Sequence, residues 1–106
     1  MTSTEKSILD NFRSRLIERV PIHEMVLFGS RARGDADPDS DLDVLVVTEG
    51  EWDWDTRDYI SRCAWEAGFE EGIIVVPVVF SRDAWENGCE RSSLLAQAVR
   101  EDGVPI

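Results

Sequence analysis

Lysine is almost missing from this chain: Lys6 stands alone, and the other ten of the eleven basic residues are arginine. Against them stand 22 acidic residues, giving a net charge of -11 over 106 residues. Nonspecific binding to a phosphate backbone is driven by dense Lys and Arg, so this balance argues against nucleic acid as a direct partner. The acidic, lysine-poor balance fits a salt-rich cytoplasm, a GC-rich genome or ordinary surface solubility. Cysteine is scarce too. Cys63 and Cys89 fall in stretches that look helical, with no CxxC spacing and no neighbouring histidine, so a zinc site is excluded and both are expected as reduced thiols. Met1 to Lys6 lacks the basic start and following apolar run of a secretory leader, and no apolar run reaches bilayer length. A cytoplasmic location without a membrane partner is the expectation.

What the chain does have is apolar surface: 42% of its residues are hydrophobic and four are tryptophan. That is enough to offset the entropy of ordering a chain, and the length suits one domain without room for a second catalytic module. Ile8, Leu9, Phe12, Leu16 and Val20 recur at helical spacing, which predicts an amphipathic helix from about Thr4 to Val20, ended by Pro21. A strand is expected over Glu24 to Phe28, a short helix opening at Gly29 to Arg33, a loop over Asp35 to Ser40, and a second strand over Asp41 to Thr48. Tyr59, Ile60, Cys63, Ala64 and Ala67 predict a helix from about Asp55 to Ala67, stopped by Gly68 and crossing the sheet. The β-branched run Ile73 to Phe80 reads as a third strand, placed at an edge or bulged because Pro77 has no N–H for a ladder. Ser81 then caps a short helix through Asn87, ended by Gly88. Ser92 or Ser93 caps a last helix carrying Leu94, Leu95, Ala98 and Val99, with Gly103 as its C-cap. The fold class expected is α/β, a small mixed sheet flanked by helices.

Two local patterns carry chemistry. Gly29-Ser30 at the end of a buried strand lets a backbone approach a phosphate closely, with N–H groups and the Ser30 hydroxyl as donors. Arg31 and Arg33 add charge but point in different directions. Asp41 and Asp43 lie two apart on a strand, hence on one face, in the shape that holds Mg²⁺ alongside phosphate oxygens. Asp35, Asp37 and Asp39 share that spacing and are read as solvated loop. Lone His23 is read as a surface residue. Trp52, Trp54, Trp65 and Trp85 are read as core or groove fillers, with Trp52 and Trp54 also placed to form an exposed partner-binding patch.

The combination is more specific than either half. A buried strand, Gly-Ser at its end, a short loop and Ser-Asp-x-Asp opening the next strand resemble the nucleotidyltransferase superfamily that includes DNA polymerase β. The resemblance is closest to its minimal nucleotidyltransferase proteins, the antitoxin partners of HEPN toxins. Their pattern Gly-Ser-x-Ala-x-Gly, spacer, Ser-Asp-x-Asp is matched by Gly29, Ser30, Ala32, Gly34, Ser40, Asp41 and Asp43. The resemblance covers nearly the whole chain and implies one minimal nucleotidyltransferase domain over 1–106. It implies that Gly29, Ser30 and Arg33 bind the nucleotide, that Asp41 and Asp43 are catalytic and bind Mg²⁺, and that AMP passes from ATP to a tyrosine of a HEPN ribonuclease toxin.

The superfamily's usual third carboxylate comes from the next strand. Here it would fall near Ile74 to Val76, where no acid stands; Glu70 or Glu71 could substitute if the register shifts, while Asp83 lies past the far end. The competing reading is a domain that neutralises its partner by binding alone. A small-molecule nucleotidyltransferase akin to aminoglycoside-modifying enzymes is a third, disfavoured because no residues remain to hold such an acceptor.

Overall fold

The computed structural model describes residues 1–35, 37–88 and 93–106. Cys89 and Ser92, both named in the sequence reading, lie outside the described residues. The first helix, α1, spans Ser3–Ile17, with Thr2 as N-cap: its hydroxyl accepts the Glu5 N–H while the Glu5 carboxylate accepts the Thr2 N–H. This reciprocal cap satisfies two of the donors that a helix start leaves unpaired. Ile8, Leu9, Phe12 and Leu16 form its buried face. The helix ends earlier than the apolar spacing predicts, because Arg19 and Val20 both donate to the Leu16 carbonyl and turn the chain. Val20 still reaches the core, from a turn rather than a helix.

Strand β1 (Ile22–Phe28), the single-turn helix α2 (Ser30–Arg33) and strand β2 (Leu42–Thr48) follow. Helix α3 (Trp54–Phe69) then crosses to strand β3 (Val75–Ser81), and helices α4 (Arg82–Asn87) and α5 (Leu94–Asp102) lead to a short strand β4 (Val104–Pro105). The four-stranded sheet has the order β3-β2-β1-β4. β1 runs antiparallel to β2 and to β4, and β2 runs parallel to β3, so the sheet is mixed and the fold is α/β. Pro77 lies on an edge strand as its missing N–H requires.

Gly68 does not stop α3; it lies inside the helix. A Cβ built there would fall 1.9 Å from the Ile73 carbonyl oxygen, so glycine is needed where the chain doubles back onto the helix. The positive φ that reverses the chain belongs to Gly72 instead. Strand β4 has no counterpart in the sequence reading, since two residues carry no alternation to read. Ser81 and Ser93 cap α4 and α5, each accepting an N–H three residues on at 3.2 Å, and Gly103 ends α5 as expected.

The core lies on both sheet faces. Leu42, Val44 and Val46 point with Leu27 toward α1 and α3, among Phe12, Ile60 and Ala64. Leu45 and Val47 point the other way with Val26, toward Phe80, Trp85 and Val99. Trp85 fills that second layer against Phe80, ring centroids 5.5 Å apart. Trp65 corrects the expectation of a core or groove filler, being 57% exposed, and Trp54, 77% exposed, follows the alternative reading of an exposed position. Trp52 meets Trp54 edge to face. His23 is tied to Glu49 at 3.0 Å and to Glu86 at 3.6 Å, a structural link rather than a bare surface group. Cys63 is a buried free thiol. No helix among the described residues is long and apolar enough to cross a membrane.

Candidate active site

The site forms where β1 ends. Gly29 has φ 81° and ψ -161°, a backbone region that essentially only glycine occupies. A Cβ at this position would lie 2.5 Å from Asp43 Oδ2, so glycine is required by space as well as by conformation. The turn makes Ser30 the first residue of α2, which Gly34 closes in the left-handed region with its N–H on the Ser30 carbonyl. The Ser30 hydroxyl makes no hydrogen bond to another described residue.

Asp43 faces this turn because register puts it there. It lies opposite Phe28 in the antiparallel ladder and opposite Val76 in the parallel one. Asp41 precedes β2 and is exposed, while Asp43 is half-buried. Burial pushes the Asp43 carboxyl above its ordinary pKa, and the negative charge of Asp41 pushes it further. A half-buried Asp43 carboxylate whose charging cost is raised by burial and by Asp41, set directly against Gly29, fits a hard divalent cation with oxygen ligands.

The two arginines diverge, as their helical spacing predicts. Arg33 is 44% exposed and pairs with Asp35 at 3.3 Å and Asp102 at 3.7 Å. Arg31 turns inward: its Nε donates to the Ser40 carbonyl at 2.8 Å and an Nη to the Pro38 carbonyl at 2.8 Å. Its other Nη donates to Glu5 at 3.1 Å. Burial works to raise the Glu5 carboxyl, but the Thr2 N–H, the Arg31 guanidinium and the Thr2 hydroxyl outweigh it and hold the group below the usual carboxylate range. The sequence reading missed this role for Arg31, since Glu5 lies far away in sequence and the other partners are backbone atoms.

Among the described residues no third acid joins the pair. The β3 position in register with Asp43 is Val76. Glu70 and Glu71, the possible substitutes, line a groove with Ser7, Asn11, Arg15 and Glu66 between α1 and α3 instead. Among the described residues no group of three or more His, Cys, Asp or Glu side chains could hold a metal. A cavity of about 500 Å³ lined by Trp85, Glu86, Asn87, Ala96 and Arg100 shares no residue with the motif.

The sequence model of a family described as nucleotidyltransferase domain matches residues 9–92. Among solved structures, a toxin–antitoxin with AMP-PNP is 23% identical with a TM-score of 0.60, covering 95% of this chain and 70% of that one. An MntA-HpeT toxin–antitoxin carrying two Asp→Glu substitutions gives 0.61 at 21% identity, over 98% and 72% of the two chains. A tri-AMPylated Shewanella oneidensis HEPN toxin in complex with MNT antitoxin gives 0.54 at 21%, over 96% and 67%. At such identities the likeness is one of fold. No curated protein matches the chain in sequence.

Gly29→Ala should destabilise the protein by about 1–3 kcal/mol, from strain at φ > 0 and from displacing Asp43, read as a lower urea midpoint. Asp43→Asn should act in the opposite direction. A carboxyl whose folded pKa is raised favours folding when protonated and loses that advantage as pH rises through the folded pKa. The amide removes the charging cost, so melting temperature at neutral pH should rise, and the gain should vanish below about pH 3, where the native carboxyl is protonated in both states.

Proposed function

The chain belongs to the nucleotidyltransferase domain family, and on that premise we propose that it transfers AMP from ATP to a tyrosine hydroxyl of a HEPN ribonuclease toxin, neutralising it in the cytoplasm. The observation that carries this reading is the convergence of the two motif halves. The space above Gly29 is bounded by the Asp43 carboxylate, so a phosphate held at the turn would lie against the acids. The toxin–antitoxin complexes with AMP-PNP and with an AMPylated HEPN toxin support the choice of nucleotide and partner.

In this reading Gly29 and Ser30 hold the β and γ phosphates, and Arg33 exchanges its weak surface pairs for the triphosphate. Asp41 and Asp43 would hold Mg²⁺, which would supply positive charge to offset the phosphates and the leaving pyrophosphate. The tyrosine oxygen forms a bond to the α-phosphorus, the α–β phosphoanhydride bond breaks, and pyrophosphate leaves. The phenolic proton passes to water, because Val76 stands where a basic carboxylate would be. Missing general-base help is typically worth about 10²- to 10⁴-fold, so transfer is slow. The same valine favours the second reading, neutralisation by binding alone.

Purified protein, Mg²⁺, labelled ATP and the HEPN partner should give a mass gain of one AMP on the partner. Asp41→Asn with Asp43→Asn should abolish the label, and Val76→Glu should increase it by about tenfold or more. Equal neutralisation by the double variant without ATP would establish the binding reading instead.

A further inference from the structure

We propose that Arg31 is a positioning residue for Asp41, fixing the loop that carries it to the start of α1 through Glu5. The inference rests on the reading of Asp41 and Asp43 as a cation site. Asp41 stands outside β2, exposed, with no side-chain hydrogen bond to another described residue. Its backbone is fixed on both sides. On one side the Leu42 N–H donates to the Ile74 carbonyl at 2.9 Å. On the other, the Ser40 carbonyl accepts from Arg31 Nε, and the Pro38 carbonyl accepts from the same guanidinium. Ser40 itself closes a turn onto the Asp37 carbonyl at 3.0 Å. A guanidinium reaches these carbonyls and a carboxylate at once through three separate nitrogens held in a rigid fork, which a lysine ammonium cannot do.

Glu5 keeps Arg31 in this place. The two side chains are 7% and 8% exposed, and the second Glu5 oxygen is taken by the Thr2 N–H, so the pair is neutral and its hydrogen bonds are used. A buried ion pair is a weak source of stability, because desolvation cancels much of its attraction. Its distinctive product here is geometry. The loop carries Asp35, Asp37, Asp39 and Asp41, and Arg31 binds its backbone at two carbonyls. With each of its three guanidinium nitrogens bound to Glu5 or to a loop carbonyl, Arg31 acts through Asp41 and does not touch the nucleotide.

The test is Mn²⁺ binding in the presence of AMP-PNP, read by electron paramagnetic resonance of free Mn²⁺, with no turnover required. Arg31→Lys retains the charge opposite Glu5 but loses the fork. Glu5→Gln with Arg31→Met removes both charges and leaves no buried ion unpaired. Both should bind Mn²⁺ about 10- to 100-fold more weakly while circular dichroism and melting show a folded protein at the assay temperature. Where Arg31→Lys does not fold, the double variant decides. Folded variants that bind Mn²⁺ as tightly as the wild type would overturn the positioning role and leave the cation site intact. A wild-type protein that binds no Mn²⁺ would overturn the cation site itself, and the positioning role with it.

Discussion

The Asp43 carboxylate occupies the space that a side chain at position 29 would need, and the rest of the site is arranged around that contact. Glycine at 29 is required by it. So is the end of β1 at Phe28, directly across from Asp43, and so is the sharp turn that starts α2 at Ser30. Holding a carboxylate half-buried beside a second one is unfavourable, as the raised Asp43 pKa records. The strands offset the cost. Val44, Leu45, Val46 and Val47 are fully buried, in layers on both faces of β2, so the strand cannot shift to relieve the charge.

The excess of acid has a local logic as well as a global one. The chain carries 22 acidic residues, and several crowd the loop leading into β2. Cations are few, and the two on α2 are divided: Arg33 stays at the surface among Asp35 and Asp102, and Arg31 turns into the protein to hold backbone carbonyls. Among the described residues no cation pairs with Asp41 or Asp43, which agrees with the proposed role of the two carboxylates toward a metal–nucleotide complex.

The turn of the candidate site was legible in the sequence because its essentials are local: a glycine after a buried strand declares its geometry without the rest of the fold. The same held for Ser81 and Ser93 as caps and for Pro77 at a sheet edge. The two carboxylates were expected together on one strand, but β2 begins at Leu42 and only Asp43 lies on it. What escaped was non-local. Gly68 looked like a helix stop, but its need arises from the Ile73 carbonyl, and no local signal separates a contact glycine from a capping one. Val20 extended the apparent helix because it is buried from a turn. Strand β4 exists only through pairing with Val26 and Leu27. Trp54 and Trp65 were read by residue type, and type alone does not give the direction a side chain faces. Glu70 and Glu71 stand near the third acid's expected position in chain order, but their place between α1 and α3 removes them. Arg31 was seen as spare charge because its partners come from α1 and from carbonyls.

The most direct test of the central claim is diffraction from crystals grown with Mn²⁺ and AMP-PNP, using the anomalous signal of the metal. The account predicts an anomalous peak about 2.0–2.3 Å from carboxylate oxygens of both Asp41 and Asp43, with the triphosphate over Gly29 and Ser30. AMP-PNP bound in the cavity beside Trp85 and Arg100, with no metal peak between the two aspartates, would contradict it.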